Sequence, residues 1–413
     1  MITKKYKLTK LSCYTAYFTM SSVFSLPPIL FSSLQRLYGI SYTLLGTLVL
    51  INFCTQLTID LIFTLFSKYF NVKKVVRIMP LLTSAGLLLY ALSPTIFPNN
   101  VYVGLFMGTV IFSVSAGLSE VLLSPIIAAI PSDNPQKDMS MLHSLYAFGV
   151  FSVVVISSVF LKLFGAENWM WLTVFWGLLP VCASIMFSLS PMPEMNISED
   201  NHSPSKAKRR NLGIIICVGS IFFGSCAENV MSNWISTYME NAIQIEKTVG
   251  DILGMAIFAI LLGITRISYA KYGKNIMKVL LMGMIGATAC YLVAGFSTNA
   301  VFTLIACILT GIFTAMLWPG TLIMMEENLP GIGVAAYALM AASGDLGASV
   351  APQLFGIVVD FVSQSKFGSI LSSSLSLTTE QIGLKAGMLV TSIFPFMGIM
   401  VLIFAIRYFK KAK

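Results

Sequence analysis

Four carboxylates in this chain stand where a carboxylate is expensive. Asp60, Glu120, Glu228 and Asp345 each lie inside a long apolar run. A charged side chain at the centre of hydrocarbon costs roughly 2.5–3.5 kcal/mol on insertion scales, so four would cost on the order of 10 kcal/mol. Each must face water or a partner, or hold a proton. A carboxyl withdrawn from water binds its proton more tightly, so it can load and unload one as its exposure changes. Glu120 stands alone, with Gly117 and Ser124 one turn away on its face. Asp60 ends a stripe with Asn52 and Gln56 at i, i+4, i+8, and Asp345, Ser349 and Gln353 repeat that spacing. Glu228, Asn229, Ser232, Asn233 and Trp234 form a third polar cluster. Side-chain amides donate and accept at once, which suits a hydroxyl-rich solute. The indoles of Trp234 and Trp318 offer flat apolar faces to the C–H side of a sugar ring. The candidates for proton handling are therefore Glu120, Asp60 and Asp345. Those for solute contact are Asn52, Gln56, Glu120, Glu228, Asn229, Asn233, Trp234, Trp318, Ser349 and Gln353. Each stripe has a packing alternative: an interhelix hydrogen bond for Glu120, a network or gate clamp between two spans for the stripes, and lipid-facing packing for each indole.

The elements that must position these residues follow from composition. The chain is 56% hydrophobic and 10% charged, with a mean hydropathy of +0.84. Helices cross about 30 Å of hydrocarbon with about 20 residues, and the runs here are too long and continuous for barrel strands. The pattern predicts twelve transmembrane helices near 11–35, 41–67, 74–95, 101–130, 138–164, 168–189, 212–239, 249–271, 276–297, 300–326, 332–362 and 383–408. Of the 26 Lys and Arg, only Arg36, Lys162, Lys247, Lys366 and Lys385 fall outside the termini and alternate connections. That bias orients a membrane protein, and it predicts both termini in the cytoplasm. The net charge of +9 reads as this topogenic excess facing anionic lipid, not as a nucleic-acid surface. The longest central polar stretch, 191–211, predicts a cytoplasmic linker between six-helix bundles at 1–190 and 212–413. A second, 363–381, predicts an outer loop or short surface helix.

Other residues carry less. The seven cysteines lie within apolar segments without a CxxC pair and read as buried small residues, not disulfides or metal ligands. His143, at the start of the fifth span, could relay protons. Arg266 reads as snorkelling or pairing with a carboxylate. Trp169, Trp171 and Trp176 read as interface anchors. The phosphate-cradling GxxxxGK[ST], GxSxG and HExxH patterns are all absent. The expectation is no enzyme, cofactor, metal or nucleic-acid partner, and a monomer in the plasma membrane surrounded by lipid.

The two halves echo one another. GLSEVLLSP (117–125) aligns with GIFTAMLWP (311–319) at one constant offset, matching Gly117 with Gly311, Leu123 with Leu317 and Pro125 with Pro319. Such repeats mark secondary transporters, whose sites lie near the midplane between halves. The chain resembles the major facilitator superfamily throughout. Through NFCTQLTIDL (52–61), GLSEVLLSPIIAAIP (117–131), MLHSLYAFGV (141–150) and CAENVMSNWISTYME (226–240) it resembles the fucose–proton symporter group of sugar porters. The superfamily's loop motif is degenerate: FSKYFNVKK (66–74) has Ser67 in place of the acid, and YAKYGKNIMK (269–278) keeps only the glycine and basic residues. The resemblance implies two pseudo-symmetric six-helix bundles, alternating access, a neutral monosaccharide as cargo and proton symport through Glu120. It also implies that helices 2 and 11 face each other across the halves. That group carries a further acid in its first helix, which YTAYFTMSSVFSLPPILF (14–31) lacks. Either Glu120 couples alone, Asp60 or Asp345 replaces the missing acid, or the protein is an uncoupled facilitator. The rivals are a drug or metabolite exporter, disfavoured by the β-branched fifth span without a Gly-Pro ending, and a nutrient receptor.

Overall fold

The computed structural model describes residues 5–66, 69–132, 135–193, 207–329 and 334–410, and these are helical almost throughout. The first half forms α1 (Lys7–Tyr38), α2 (Tyr42–Phe66), α3 (Val72–Ala91), α4 (Val101–Ala129), α5 (Pro135–Phe164) and α6 (Trp169–Leu189). In the second half, α7 runs over Ala207–Thr237 and a wider i→i+5 turn, Tyr238–Ala242. Next, α8 joins Lys247–Gly250, Asp251–Ala256 and Ile257–Tyr272, and α9 spans Ile276–Phe296. Then α10 comes in two pieces, Ala300–Thr314 and Pro319–Asn328. Helix α11 is Val334–Gln364, and α12 runs over Thr379–Thr391 and Ile393–Lys410. A short helix, Lys366–Leu375, precedes α12. Among the described residues, ten helices are long and apolar enough to cross a membrane, with Phe148–Phe164 as a shorter apolar stretch. The twelve-helix architecture expected from hydropathy is thus present.

Local chemistry sets the ends. Gly39, at φ 63°, closes α1 in the left-handed conformation that glycine adopts freely. Asn299 caps α10 by accepting from the Val301 and Phe302 amides. Thr378 and Gln381 exchange hydrogen bonds in a capping box that starts α12. The tenth span, expected near 300–326, is present as Ala300–Asn328 but is not one continuous helix. Pro319 has no N–H to give the carbonyl four residues back, and the chain turns through 315–318 before the helix resumes.

The chain divides into two compact units, 1–40 with 51–197 and 41–50 with 198–413. The first turns of α2 therefore cluster with the second unit, a division that hydropathy does not reveal. Within unit 1, α1 packs on α5 and α6, and α3 on α4 and α6. Within unit 2, α7 packs on α11 and α12, and α9 on α10 and α12. The packing scheme repeats as the sequence motif does. Unit 2 is centred on Cys217, Leu280, Met284, Leu317, Met324 and Met340, all nearly or wholly buried. The expected linker at 191–211 falls largely outside the described residues. Ser67 also lies outside them, as does the side chain of His143.

Two expectations about packing are corrected. Trp169 and Trp176 are buried, not interfacial, because the bundle supplies partners for their N–H groups. These are the Tyr38 hydroxyl at 3.1 Å and the Ser157 hydroxyl at 3.0 Å. Trp171 alone of the three is exposed. All seven cysteines are free, but Cys182 is exposed and Cys54 half-buried.

Candidate functional site

In unit 1, α2 and α4 carry the polar residues. Gly117 lets α4 pass close to α2: a Cβ there would stand 3.1 Å from the Gln56 carbonyl oxygen and from Ile59. That approach joins Gln56 Nε2, which donates to Asn52 Oδ1 at 2.9 Å, with Ser113 Oγ, which donates to the same oxygen at 2.6 Å. Both lone pairs of the Asn52 oxygen are thereby used. Ser113 precedes Gly117 by one helical turn, and this i, i+4 spacing is the signal that places it on the α4 face toward α2. One turn on, Glu120 and Asp60 lie within electrostatic reach of each other, as do Glu120 and the Tyr17 hydroxyl. Glu120 is exposed, Asp60 is half-buried, and Asp60 Oδ1 makes no hydrogen bond. Among the described residues no Lys or Arg pairs with either acid.

Unit 2 holds the other candidates. Glu228 on α7 accepts from Arg266 Nη2 on α8, 3.2 Å from each carboxylate oxygen. Arg266 Nε also donates to the Ala315 carbonyl at 2.8 Å. Both Asn229 and Asn233 turn their amide N–H groups onto their own helix, toward Ser225 and the Asn229 carbonyl. Trp318 is half-buried, with its ring edge against Gly344 of α11, where a Cβ would stand 2.3 Å from ring carbons. Trp234 is 0% exposed; its N–H donates to the Pro352 carbonyl at 3.0 Å and its face stacks on Phe355. In this arrangement its ring serves α7–α11 packing and has no face left for a solute. Asp345 and Ser349 are buried on α11, with the Ser349 hydroxyl returned to the Leu346 carbonyl. Gln353 lies against Gly46, where a Cβ would be 2.9 Å from its Oε1.

A second polar group, unforeseen in the sequence, sits where α2 begins. The Asp360 carboxylate on α11 accepts from both the Tyr42 and Thr43 amides, at 3.1 and 2.6 Å. The Leu44 amide goes to Ser41 Oγ, so the first orphan donors of α2 are satisfied. The Tyr42 hydroxyl donates to Glu380 at 2.7 Å, and Asn241 Nδ2 donates to that hydroxyl. Gly356 permits the approach: a Cβ there would be 2.3 Å from the Tyr42 carbonyl oxygen.

The described residues hold no metal-ligating cluster of three or more His, Cys, Asp or Glu. What remains is a helical scaffold with polar faces on its spans and a half-buried charge pair at a helix break. The profile of the Major Facilitator Superfamily matches residues 13–352, and the chain belongs to that family. It is a multi-pass membrane protein and a secondary transporter, not an enzyme. No curated protein sequence matches it. Its fold is similar to a D-xylose–proton symporter (TM-score 0.74, 15% identity, covering 94% of this chain and 97% of that one). It is also similar to the nucleoside transporter NupG (0.68, 14%, 98% and 99%). A variant of the E. coli fucose:proton symporter FucP matches more loosely (0.59, 13%, 97% and 99%).

Proposed function

We propose that the protein carries a neutral, hydroxyl-rich solute, a monosaccharide or related polyol, into the cell across the plasma membrane together with protons. It works as a monomer with both termini cytoplasmic. The observation that carries this reading is an imbalance of charge. Glu228 in unit 2 is matched by Arg266, whereas Asp60 and Glu120 in unit 1 lie within electrostatic reach of each other and no Lys or Arg among the described residues pairs with either. Two neighbouring carboxyls repel when both are ionised, so one proton between them relieves the cost, and exposure to water on alternate sides would exchange it. Unit 1 is thus the coupling side. Within unit 1, Asn52, Gln56 and Ser113 supply amide and hydroxyl groups on the same two helices as the acids; within unit 2, Trp318 offers an apolar ring for contact with the solute. The fold shared with sugar–proton symporters supports the same reading without fixing the cargo.

The test uses proteoliposomes and a panel of labelled neutral solutes, sugars and a nucleoside included, with and without a pH gradient. Glu120→Gln keeps the size and hydrogen bonding of the protonated acid but releases no proton. The variant should still exchange sugar in counterflow and should lose uphill uptake with the outside acidic. Full uphill uptake in Glu120→Gln would move the coupling to Asp60. Absence of uphill uptake in the unmodified protein would refute symport in favour of a facilitator, an exporter or, with binding alone, a receptor.

A further inference from the structure

The break in α10 leaves a set of backbone carbonyls whose partners can each be traced. The Thr314 carbonyl accepts from the Leu317 amide at 2.9 Å. The Met316 carbonyl accepts from the Gly320 amide at 2.8 Å. The Leu317 carbonyl accepts from the Thr321 hydroxyl at 2.6 Å. The Trp318 carbonyl accepts from the Thr321 amide at 3.1 Å. Ala315 is the exception. Its helical donor would be the amide of residue 319, and Pro319 has none. Ala315 is fully buried, so its carbonyl needs a partner from within the protein. That partner comes from another helix, as Arg266 Nε.

We propose that Arg266 is a positioning residue: its guanidinium fills the vacancy made by Pro319, fixes the bend of α10 and so holds Trp318 where it meets the solute. Three features converge on it. The planar fork of Arg can serve a carbonyl and a carboxylate at once, which an ammonium cannot do with the same fixed geometry. The Glu228 carboxylate on α7 anchors the other arm at 3.2 Å, so the guanidinium is held from two sides. Trp318 immediately precedes Pro319, and its ring rests on the bare Cα of Gly344, leaving no slack for a change in the bend. A shift in the bend therefore becomes a shift of the indole. Arg266 acts through Trp318 and touches no solute itself.

The functional half of this inference rests on Trp318 meeting the cargo; the carbonyl half does not. Two experiments on the full-length protein separate them. The first is a stability cycle in detergent. Arg266→Lys keeps a positive charge beside Glu228 but lacks Nε. It should lower Tm in the unmodified chain and lower it much less when combined with Pro319→Ala, which returns an amide to the Ala315 carbonyl. An equal fall in both backgrounds would overturn the proposal, leaving Arg266 as a counter-ion only. The second is counterflow in proteoliposomes with whichever solute the panel identifies. Arg266→Lys should raise the half-saturation concentration about tenfold, as expected for one lost buried polar contact, with little change in maximal rate. Adding Trp318→Ala to it should cause no further rise beyond Trp318→Ala alone. Additive effects of the two substitutions would overturn the positioning role. A failed sugar panel leaves the stability cycle intact as the measure of this inference, and so separates its fate from that of the proposed cargo.

Discussion

The capping of α2 by Asp360 makes a quantitative prediction. Asp360→Asn keeps the shape and one acceptor oxygen but removes the charge and one of two amide partners. A carboxylate at a helix N-terminus contributes 0.3–1 kcal/mol when exposed and up to about 2 kcal/mol when partly buried. Loss of a capping acceptor costs about 1 kcal/mol. Asp360 is half-buried and Tyr42 is 3% exposed, so a total of about 1–2 kcal/mol is expected, a factor of roughly 5–30 in an equilibrium. The equilibrium in question is release of Tyr42–Leu50 from unit 2. Val49 reports it, being 5% exposed and close in size to cysteine. Val49→Cys should react with an impermeant maleimide roughly 5–30 times faster when Asp360→Asn is added. The unmodified chain serves as the blank for the native cysteines. Tyr42→Phe, which breaks only the contact with Glu380 and Asn241, should give a smaller increase. An unchanged rate in both Asp360→Asn and Asp360→Ala would refute the idea that this carboxylate holds the start of α2.

Three further outcomes are expected, two from the structure and one from the distribution of Lys and Arg. Lys247 stands 3.5 Å from Glu240 and 3.6 Å from Asp251, which is fully buried and bonded to Ser236; Lys247→Met should destabilise the protein by about 3–5 kcal/mol, as for any buried ion pair that loses one member, and an unchanged Tm would contradict this. Gln56→Leu should cut transport about tenfold, the worth of one polar contact, with normal membrane insertion; a wild-type rate would assign the α2 stripe to packing. Cysteines placed at 98 and 370 should label with impermeant reagents in intact cells and those at 72 and 205 should not, and the reverse pattern would invert the proposed orientation.

Hydropathy made the helices legible because each span's apolar run is written in consecutive residues. The span boundaries fall within a few residues of expectation, and the short helix Lys366–Leu375 occupies the stretch read as a loop or surface helix. Contacts closed by distant residues were not legible. Nothing in the run around Tyr42 indicates that Asp360 will accept its amide, because that partnership depends on Gly356 allowing two backbones to meet. The candidate site shows the same division. The pairing of Asn52 with Gln56 is a property of one helix and follows from spacing. The bond from the Trp234 N–H to the Pro352 carbonyl was not legible, because an indole on a polar helix face looks alike in sequence whether a distant carbonyl or a solute receives its N–H.

The repeat shows where the two units parted. Aligning Pro125 with Pro319 sets Glu120 opposite Thr314. Thr314 is fully buried and returns its hydroxyl to the Thr310 carbonyl within its own helix. The position that holds an open carboxyl in unit 1 is therefore an inert, self-satisfied hydroxyl in unit 2. The helices respond differently as well: α4 runs unbroken through Pro125, whereas α10 turns before Pro319. The difference matches what each unit has at hand. In unit 2 Arg266 is available to hold the freed carbonyl, and its charge is cancelled by Glu228, so the break can be deep and still electrically neutral. In unit 1 no described cation stands beside Glu120 and Asp60, and the helix stays whole while the acids stay unbalanced. The repeat has thus diverged into one unit whose fourth helix keeps an acid and stays whole, and one whose tenth helix has lost the acid and turns at a carbonyl held by Arg266.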